Sequence, residues 1–378
     1  MPGKQRHLFD IPRDICYLNS AYMGPRLHSV TKAGRAAVET GRAPWSLTSA
    51  DFFETADHIR RVFAGLIGSG EESIAIVPSV SYAMAVAAAN IELKPGDEIV
   101  LLEEQFPSNV YPWQRLAAEC GATIRTVSRP KDCDWTTAVL SNISARTALA
   151  ALPQVHWTDG SRIDLEVVGR RCRDVGSALV LDLTQSLGAA PFSITEVKPD
   201  FMVAAAYKWL LGPYGVTYLY VSPARQDGVP IEQTWMGRYG SEDFSSLVSY
   251  QDAYRDGARR FDAGQHCSFI LLPMALEGLR QIASWTPDET ASTLREITDL
   301  IASRAGALGF DATPSSARSP HMLGLSYPDS VPSGLLDALA AERVYASVRG
   351  RRIRVAPHLH VDDEDIERFF AVLADFAP

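Results

Sequence analysis

The sequence predicts an α/β fold, a mostly parallel sheet covered by helices, followed by a smaller α+β unit. Three observations carry this reading. Between residues 70 and 222, apolar runs of strand length alternate with helical patterns. Those runs are unbroken, which marks strands covered on both faces instead of one. After residue 222 the texture changes to a polar, irregular stretch, and helices and short strands return only from Phe269 onward.

The elements run in order along the chain. Ser73–Val77 predicts a strand and Tyr82–Ile91 the helix after it. Lys94-Pro95-Gly96-Asp97 is a turn leading into the strand Glu98–Leu102. Trp113–Cys120 is helical until Gly121 stops it, and Thr123–Val127 is extended. Ala148–Leu152 is a buried strand closed by Pro153. Asp164 caps a helix running to Val175, and Ala178–Leu183 is again an apolar strand. Residues 223–262 are rich in Gly, Arg, Asp and Ser, with Trp235 and several tyrosines embedded. Two helical patterns, a strand near His321–Ser326 and a helix near Leu335–Arg343 come next. A short strand at Arg352–Val355 and an amphipathic helix from Asp362 complete the chain.

Composition narrows the function. The chain has 378 residues, 46% of them apolar and 21% charged, the mix of a globular protein. One core rarely serves this length, so two domains are expected. A net charge of −9 leaves no broad basic face for nucleic acid. Five scattered cysteines without a CxxC pair suit a reducing compartment and offer no zinc ribbon. Residues 4–14 lack the apolar stretch of a secretory signal. The longest uncharged run, residues 73–91, contains a proline and three serines and is no membrane span. The expectation is a cytoplasmic protein with neither membrane nor nucleic-acid partners.

Several catalytic devices are missing: no P-loop, no strand-borne GxGxxG, no HExxH and no GxSxG. His358 and His360 beside Asp362, Asp363 and Glu364 read as an N-cap cluster opening the last helix, and no metal site is expected.

Two features remain. Asp182 ends the apolar run Leu179–Asp182, where open α/β sheets bind ligands. Lys208 lies inside the apolar segment Phe201–Pro213. A buried lysine is costly in its charged form, and desolvation favours the neutral amine that attacks carbonyls. The alternative is a lysine that snorkels past Trp209 to the surface. An amine able to form a Schiff base and a buried carboxylate are what pyridoxal phosphate demands; the carboxylate keeps its ring nitrogen protonated. Pro78-Ser79-Val80-Ser81, between a strand and a helix, offers N–H groups and hydroxyls to a phosphate, although a serine there is also an ordinary cap. Phe106 lies beyond the strand Glu98–Leu102, where an aromatic ring can stack on the cofactor.

With these residues named, the chain resembles the class V aminotransferase-type enzymes of pyridoxal phosphate fold type I. Cysteine desulfurases, kynureninase and isopenicillin N epimerase belong to that superfamily. The specific part is Asp182-x-x-Gln185 followed by Lys208 after a Pro-Asp-Phe strand, and the likeness runs from Tyr17-Leu18-Asn19 to the last helix.

The resemblance implies an N-terminal arm (1–16), a large cofactor domain (17–262) with a seven-stranded-type sheet, and a small domain (263–378). Residues 223–262 would be an irregular dimer-contact segment. Lys208 would carry the cofactor and shuttle protons, Asp182 would pair with the pyridinium, and Gln185 would bond the ring oxygen. Thr184 and Phe106 would flank the ring, while Ser79, Val80, Ser81 and Tyr207 would hold the phosphate. Arg354 would grip the substrate carboxylate, a task suited to a bidentate fork, unless it is an ordinary salt-bridged strand arginine. Asn19 is assigned to the substrate side.

This sequence also departs from the family pattern. Residues 330–354 contain no cysteine, which disfavours desulfurase chemistry. Gln265 stands where a partner subunit usually lends a threonine to the phosphate. Trp157 replaces a polar group, so His156 and Trp157 either shape the substrate pocket or pack the core. The expected function is transamination of an amino acid to a keto acid by a homodimer with shared sites. The alternatives are a lyase or epimerase on the same cofactor, or a non-catalytic binding protein that kept the fold.

Overall fold

The computed structural model describes residues 2–378. Its centre is a seven-stranded sheet built from β1 (Ile74–Val77), β2 (Glu98–Leu102), β3 (Thr123–Val127), β4 (Thr147–Pro153), β5 (Ala178–Asp182), β6 (Phe201–Ala205) and β7 (Thr217–Val221). The order across the sheet is β1-β7-β6-β5-β4-β2-β3. Every pairing is parallel except those of β7, which runs antiparallel to β1 and β6. The carboxyl ends of β1, β2, β4, β5 and β6 therefore share one edge, together with the start of β7.

Continuous apolar strands let both faces be buried. On one face Ala75, Ile99, Leu101, Leu149, Val180 and Val203 pack under α3 (Val80–Ala89) and α4 (Tyr111–Cys120). On the other, Ile76, Val100, Leu152, Leu181, Met202 and Tyr218 meet α2 (Glu54–Ile67), among others. The Phe63 ring lies 4.5 Å from that of Tyr218. Helices α1 (His28–Thr40) and α2 pack against the later helix Leu271–Trp285.

The sequence pattern alone does not show α1, α2, the helix Trp135–Asn142 or β7. Helix α1 buries only Val30, Gly34 and Ala37 and has no side-chain cap, so it lacks start signals. Where elements were expected, their ends coincide or move by one or two residues. Ser79 accepts a hydrogen bond from Tyr82 N, so α3 begins at Val80 instead of Tyr82. Residues 223–262 hold only short 3-10 turns.

The second sheet pairs β8 (Asp311–Ala312), β9 (Leu323–Ser326), β10 (Ser347–Arg349) and β11 (Arg352–Val355) in the order β10-β11-β9-β8. Near the N-terminus, Cys16–Tyr17 pairs in parallel with Val344–Tyr345, and Asn19 bridges Ala356. Arg6 pairs with Asp365 at 2.6 Å and Arg13 with Asp362 at 2.5 Å. Asp362 caps the last helix, Asp363–Leu373, in a capping box with Asp365, as the acidic cluster suggests. His358 and His360 are fully buried around Phe9. Among the described residues no helix is long and apolar enough to cross a membrane.

Candidate active site

The shared carboxyl edge of the large sheet opens into a cleft with about 900 Å³ of empty volume, continuous with solvent. Each strand contributes the residues just beyond it: Ser79–Ser81 after β1, Phe106 after β2, His156 and Trp157 after β4, Asp182 and Gln185 at the end of β5, Tyr207 and Lys208 after β6. Positions far apart in sequence thus converge because parallel strands all end on one side. Eleven of the fourteen candidate residues line this cleft.

Lys208 is 6% exposed, and no carboxylate among the described residues lies within 4 Å of its ammonium. Its Nζ is 5.5 Å from the Phe106 ring centroid and 5.6 Å from that of Tyr207. Burial drives its pKa down to about 8; Asp182 opposes the shift, and Arg354 and Arg349 add to it. The lysine does not snorkel. Its backbone is held by close-packed glycines: a Cβ on Gly24 would strike the Lys208 carbonyl, and one on Gly278 would lie 2.7 Å from the Leu210 carbonyl. Leu211, in the same loop, has a left-handed φ of 54°, strain that surrounding contacts must maintain.

Asp182 is buried, and its Oδ1 accepts from Thr184 N at 3.0 Å. Burial pushes its carboxyl up, opposed by the Thr184 hydrogen bonds and by Lys208. Thr184 Oγ1 accepts from Ala205 N, fixing the end of β5 to that of β6. Gln185 donates to Ala21 O at 3.0 Å and accepts from Trp209 Nε1 at 3.3 Å, leaving one amide N–H for a ligand. At the other end of the cleft Ser81 Oγ donates to Ser108 Oγ at 3.1 Å beside the first turn of α3. Tyr207 lies against Tyr214, ring centroids 4.7 Å apart.

Arg354 sits on β11, 1% exposed, and reaches toward the cleft from the small sheet. It donates to Trp157 O at 2.8 Å and to Asn19 Oδ1 at 3.3 Å, so Asn19 joins the site through the arginine. The arginine is not salt-bridged: no carboxylate among the described residues comes within 4 Å, and burial lowers its pKa to about 9. His156 is a wall and not a hydrogen-bonding contact. Its Nδ1 meets Thr158 Oγ1 at 2.8 Å, its Nε2 meets Glu103 O at 3.1 Å, and its ring stacks on Trp135. Burial keeps it neutral, with a pKa near 4. Gln265 is exposed and lies outside the cleft, in a depression shared with Trp235 and Phe269.

Sequence reasoning missed five polar lining residues, Gln105, Ser108, Asn109, Tyr214 and Thr217. Gln105 accepts from Leu102 N and donates to Ala151 O, tying β2 to β4. A buried glutamine shortly after an apolar strand is the signal that could have found it.

The site has an amine with a lowered pKa, a buried carboxylate on which that amine is the cation acting, and a helix start lined with hydroxyls. An aldehyde-bearing, phosphorylated, cationic ring fits all three.

The family model described as Aminotransferase class-V matches residues 34–344. The chain is 28% identical over 317 residues to an uncharacterized aminotransferase, YcbU, of Bacillus subtilis (strain 168), covering 83% of this chain and 81% of that protein. To isopenicillin N epimerase of Streptomyces clavuligerus it is 24% identical over 330 residues, covering 82% and 81%. Among solved structures, a C-DES mutant with glycine covalently linked to its PLP cofactor superposes with TM-score 0.88 at 19% identity, covering 98% of this chain and 99% of that one. The apo cysteine desulfurase of Thermococcus onnurineus NA1 gives 0.85 at 18% identity, covering 98% and 97%. At such identities these two structures speak to the fold.

Proposed function

This chain belongs to the aminotransferase class-V family of pyridoxal 5'-phosphate enzymes, and from that premise we propose that it acts on an amino acid through Lys208, most simply by transamination. The observation that carries the reading is the isolated, buried Lys208 amine facing the Asp182 carboxylate across one cleft. Pyridoxal 5'-phosphate, when bound, supplies an aldehyde that condenses with amines and a ring that accepts electrons.

The chain's own residues do the rest. Lys208 Nζ, largely neutral above pH 8, would hold the cofactor through its aldehyde and, as the base of the cleft, would move the proton at the substrate α-carbon. Asp182 holds the ring nitrogen protonated. Ser79, Val80 and Ser81, with Tyr207, anchor the phosphate through the start of α3. Phe106 and Thr184 would confine the ring, and the second amide N–H of Gln185, the one not spent on Ala21 O, would be left for its oxygen. Arg354 orients the substrate carboxylate, its guanidinium already fixed by Trp157 O and Asn19.

None of the five cysteines lines the cleft among the described residues, which argues against chemistry that needs a thiol nucleophile there. A lyase or epimerase shares every residue named so far and differs only in the step after proton loss.

Gln265 supports a shared site. It shares a depression with Phe52, Trp235 and Phe269, and Phe244 packs on the first two; these rings lie 5.0 to 6.3 Å apart and stay partly exposed. Such a patch suits a second copy of this chain. The working unit in this reading is a homodimer in which Gln265 reaches its partner's phosphate.

Two measurements test these readings. The holoenzyme is offered a panel of amino acids and keto acids, with keto-acid formation and α-proton exchange read separately. Amino-group transfer supports transamination; exchange or racemisation without transfer selects the epimerase, and no reaction with any amino acid overturns the reading. Sedimentation and activity at matched dilution test the dimer, and a fully active monomer overturns the shared site.

A further inference from the structure

Three guanidiniums project from the β10–β11 hairpin on one face, and only one of them has an acid beside it. In the register of the hairpin Arg349 stands opposite Arg352, and Arg354 opposite Ser347. Arg352 lies 4.0 Å from Asp159. Arg354 and Arg349 have no carboxylate within 4 Å among the described residues. The acids nearby are taken: Glu104 pairs with Arg129 at 2.7 Å, and Asp159 also pairs with Arg129. Among the described residues the Arg349 side chain makes a single hydrogen bond, to its neighbour Val348 O at 2.7 Å, and its buried Nε has no partner.

Trp157 places this second arginine at the cleft. Its carbonyl holds Arg354 at 2.8 Å, while its ring carries the Arg349 guanidinium 5.2 Å from the centroid. Its edge meets Phe106, centroids 5.5 Å apart, and Phe106 in turn lies 5.5 Å from Lys208 Nζ. The indole N–H is satisfied by Glu104 O, so the ring cannot swing away freely. Lys208 lines the cleft, whose lining includes one carboxylate, Asp182, while Arg354 and Arg349 stand at its Trp157 wall, near enough for both to act on the lysine. Partly desolvated cations without counter-charges are unfavourable until an anion arrives.

We propose that Arg349, seated on Trp157, is a second anion site beside Arg354, and that the substrate is an amino acid carrying a second carboxylate. The proposal rests on the amino-acid reading above. Arg354 takes the α-carboxylate, Arg349 the distal one, and the spacing between the two guanidiniums selects chain length. Neutral amino acids leave Arg349 unpaired, so they bind less well. Discrimination of this kind is large because a buried charged donor is either matched or left bare.

The test uses holoenzyme and two series of unreactive probes in titration calorimetry: succinate, glutarate and adipate against propionate, butyrate and valerate. The best dicarboxylate is expected to bind about tenfold or more tighter than its matched monocarboxylate, the factor one charged hydrogen bond supplies. Arg349→Gln should collapse that ratio toward one, and Arg349→Lys should restore part of it. Kinetics on glutamate, aspartate and their amides should show the same ratio in kcat/KM. Equal binding of both series, or a ratio that survives in Arg349→Gln, overturns the second site. The two readings fail separately. Turnover of neutral and acidic amino acids alike would overturn the second site and leave the amino-acid reading intact. A dicarboxylate preference lost in Arg349→Gln, with no amino acid turned over, would keep the anion site and overturn the amino-acid reading.

Discussion

Arg354 donates to the backbone carbonyl of Trp157 at 2.8 Å, fastening a strand of the small sheet to the loop that leaves β4 of the large one. The same guanidinium reaches Asn19 Oδ1, so three distant segments meet at one planar group. A lysine cannot span both acceptors with one ammonium. Arg354→Lys is expected to raise KM for the amino acid by about tenfold or more, with a smaller change in kcat. Steady-state kinetics at saturating cofactor check this; an unchanged KM would remove Arg354 from the substrate side.

Burial sets the pH dependence of cofactor capture. Lys208 falls from its ordinary 10.5 to about 8 in the folded protein, so its reactive amine appears as pH rises through 8. Cofactor-free protein is expected to take up pyridoxal phosphate covalently with a rate that climbs through pH 8 and then levels off. Asp182 holds the lysine's proton and Arg354 repels it. Asp182→Asn should therefore move the midpoint down, and Arg354→Gln should move it up. The sign for stability comes from proton binding. Below about 8 both folded and unfolded chains carry the proton, and the full burial penalty is present. Between about 8 and 10.5 only the unfolded chain carries it, so this group's contribution to stability rises with pH. Stopped-flow absorbance across pH values from about 6 to about 11 reads the midpoints.

Gly278 sits inside a helix, where alanine is ordinarily better by about 0.5–1 kcal/mol. Here a Cβ would lie 2.7 Å from the Leu210 carbonyl and press on the Lys208 loop. Gly278→Ala is expected to lower both the melting temperature and kcat. A variant that gains stability and keeps full activity would show that the loop is not clamped in this way.

Asp182→Asn should leave the fold and bound cofactor in place and slow α-proton exchange by about 10²-fold or more, since a neutral amide cannot hold the ring nitrogen protonated. Exchange of substrate α-deuterium with solvent, monitored by NMR, gives the rate directly; an undiminished rate contradicts the role.

Some of this molecule is legible in its sequence for local reasons. Glu98–Leu102 and Thr123–Val127 match the expected strands to the residue, because a Pro-Gly turn and Gly121 mark their starts. Asp182 and Lys208 stand out because a charge within an apolar run is costly enough to need a reason. Other features are written between distant segments. Helices α1 and α2 bury narrow stripes that acquire meaning only against Leu271–Trp285. Arg349 carries no signal in the sequence; Trp157, 192 positions earlier, gives it a place in the structure. Gly24 likewise gains its meaning only from the Lys208 carbonyl packed against it. Trp157 departs from the family pattern already in the sequence, but its use as a platform for two arginines needs the tertiary structure.

Every role assigned to this cleft depends on Lys208 carrying the cofactor. Borohydride reduction of the holoenzyme, then proteolysis and peptide mass spectrometry, tests that in one step. A phosphopyridoxyl adduct is expected on the peptide containing Tyr207-Lys208-Trp209, with no adduct in Lys208→Ala, which should still fold. An adduct on any other lysine, or undiminished labelling of Lys208→Ala, would contradict it.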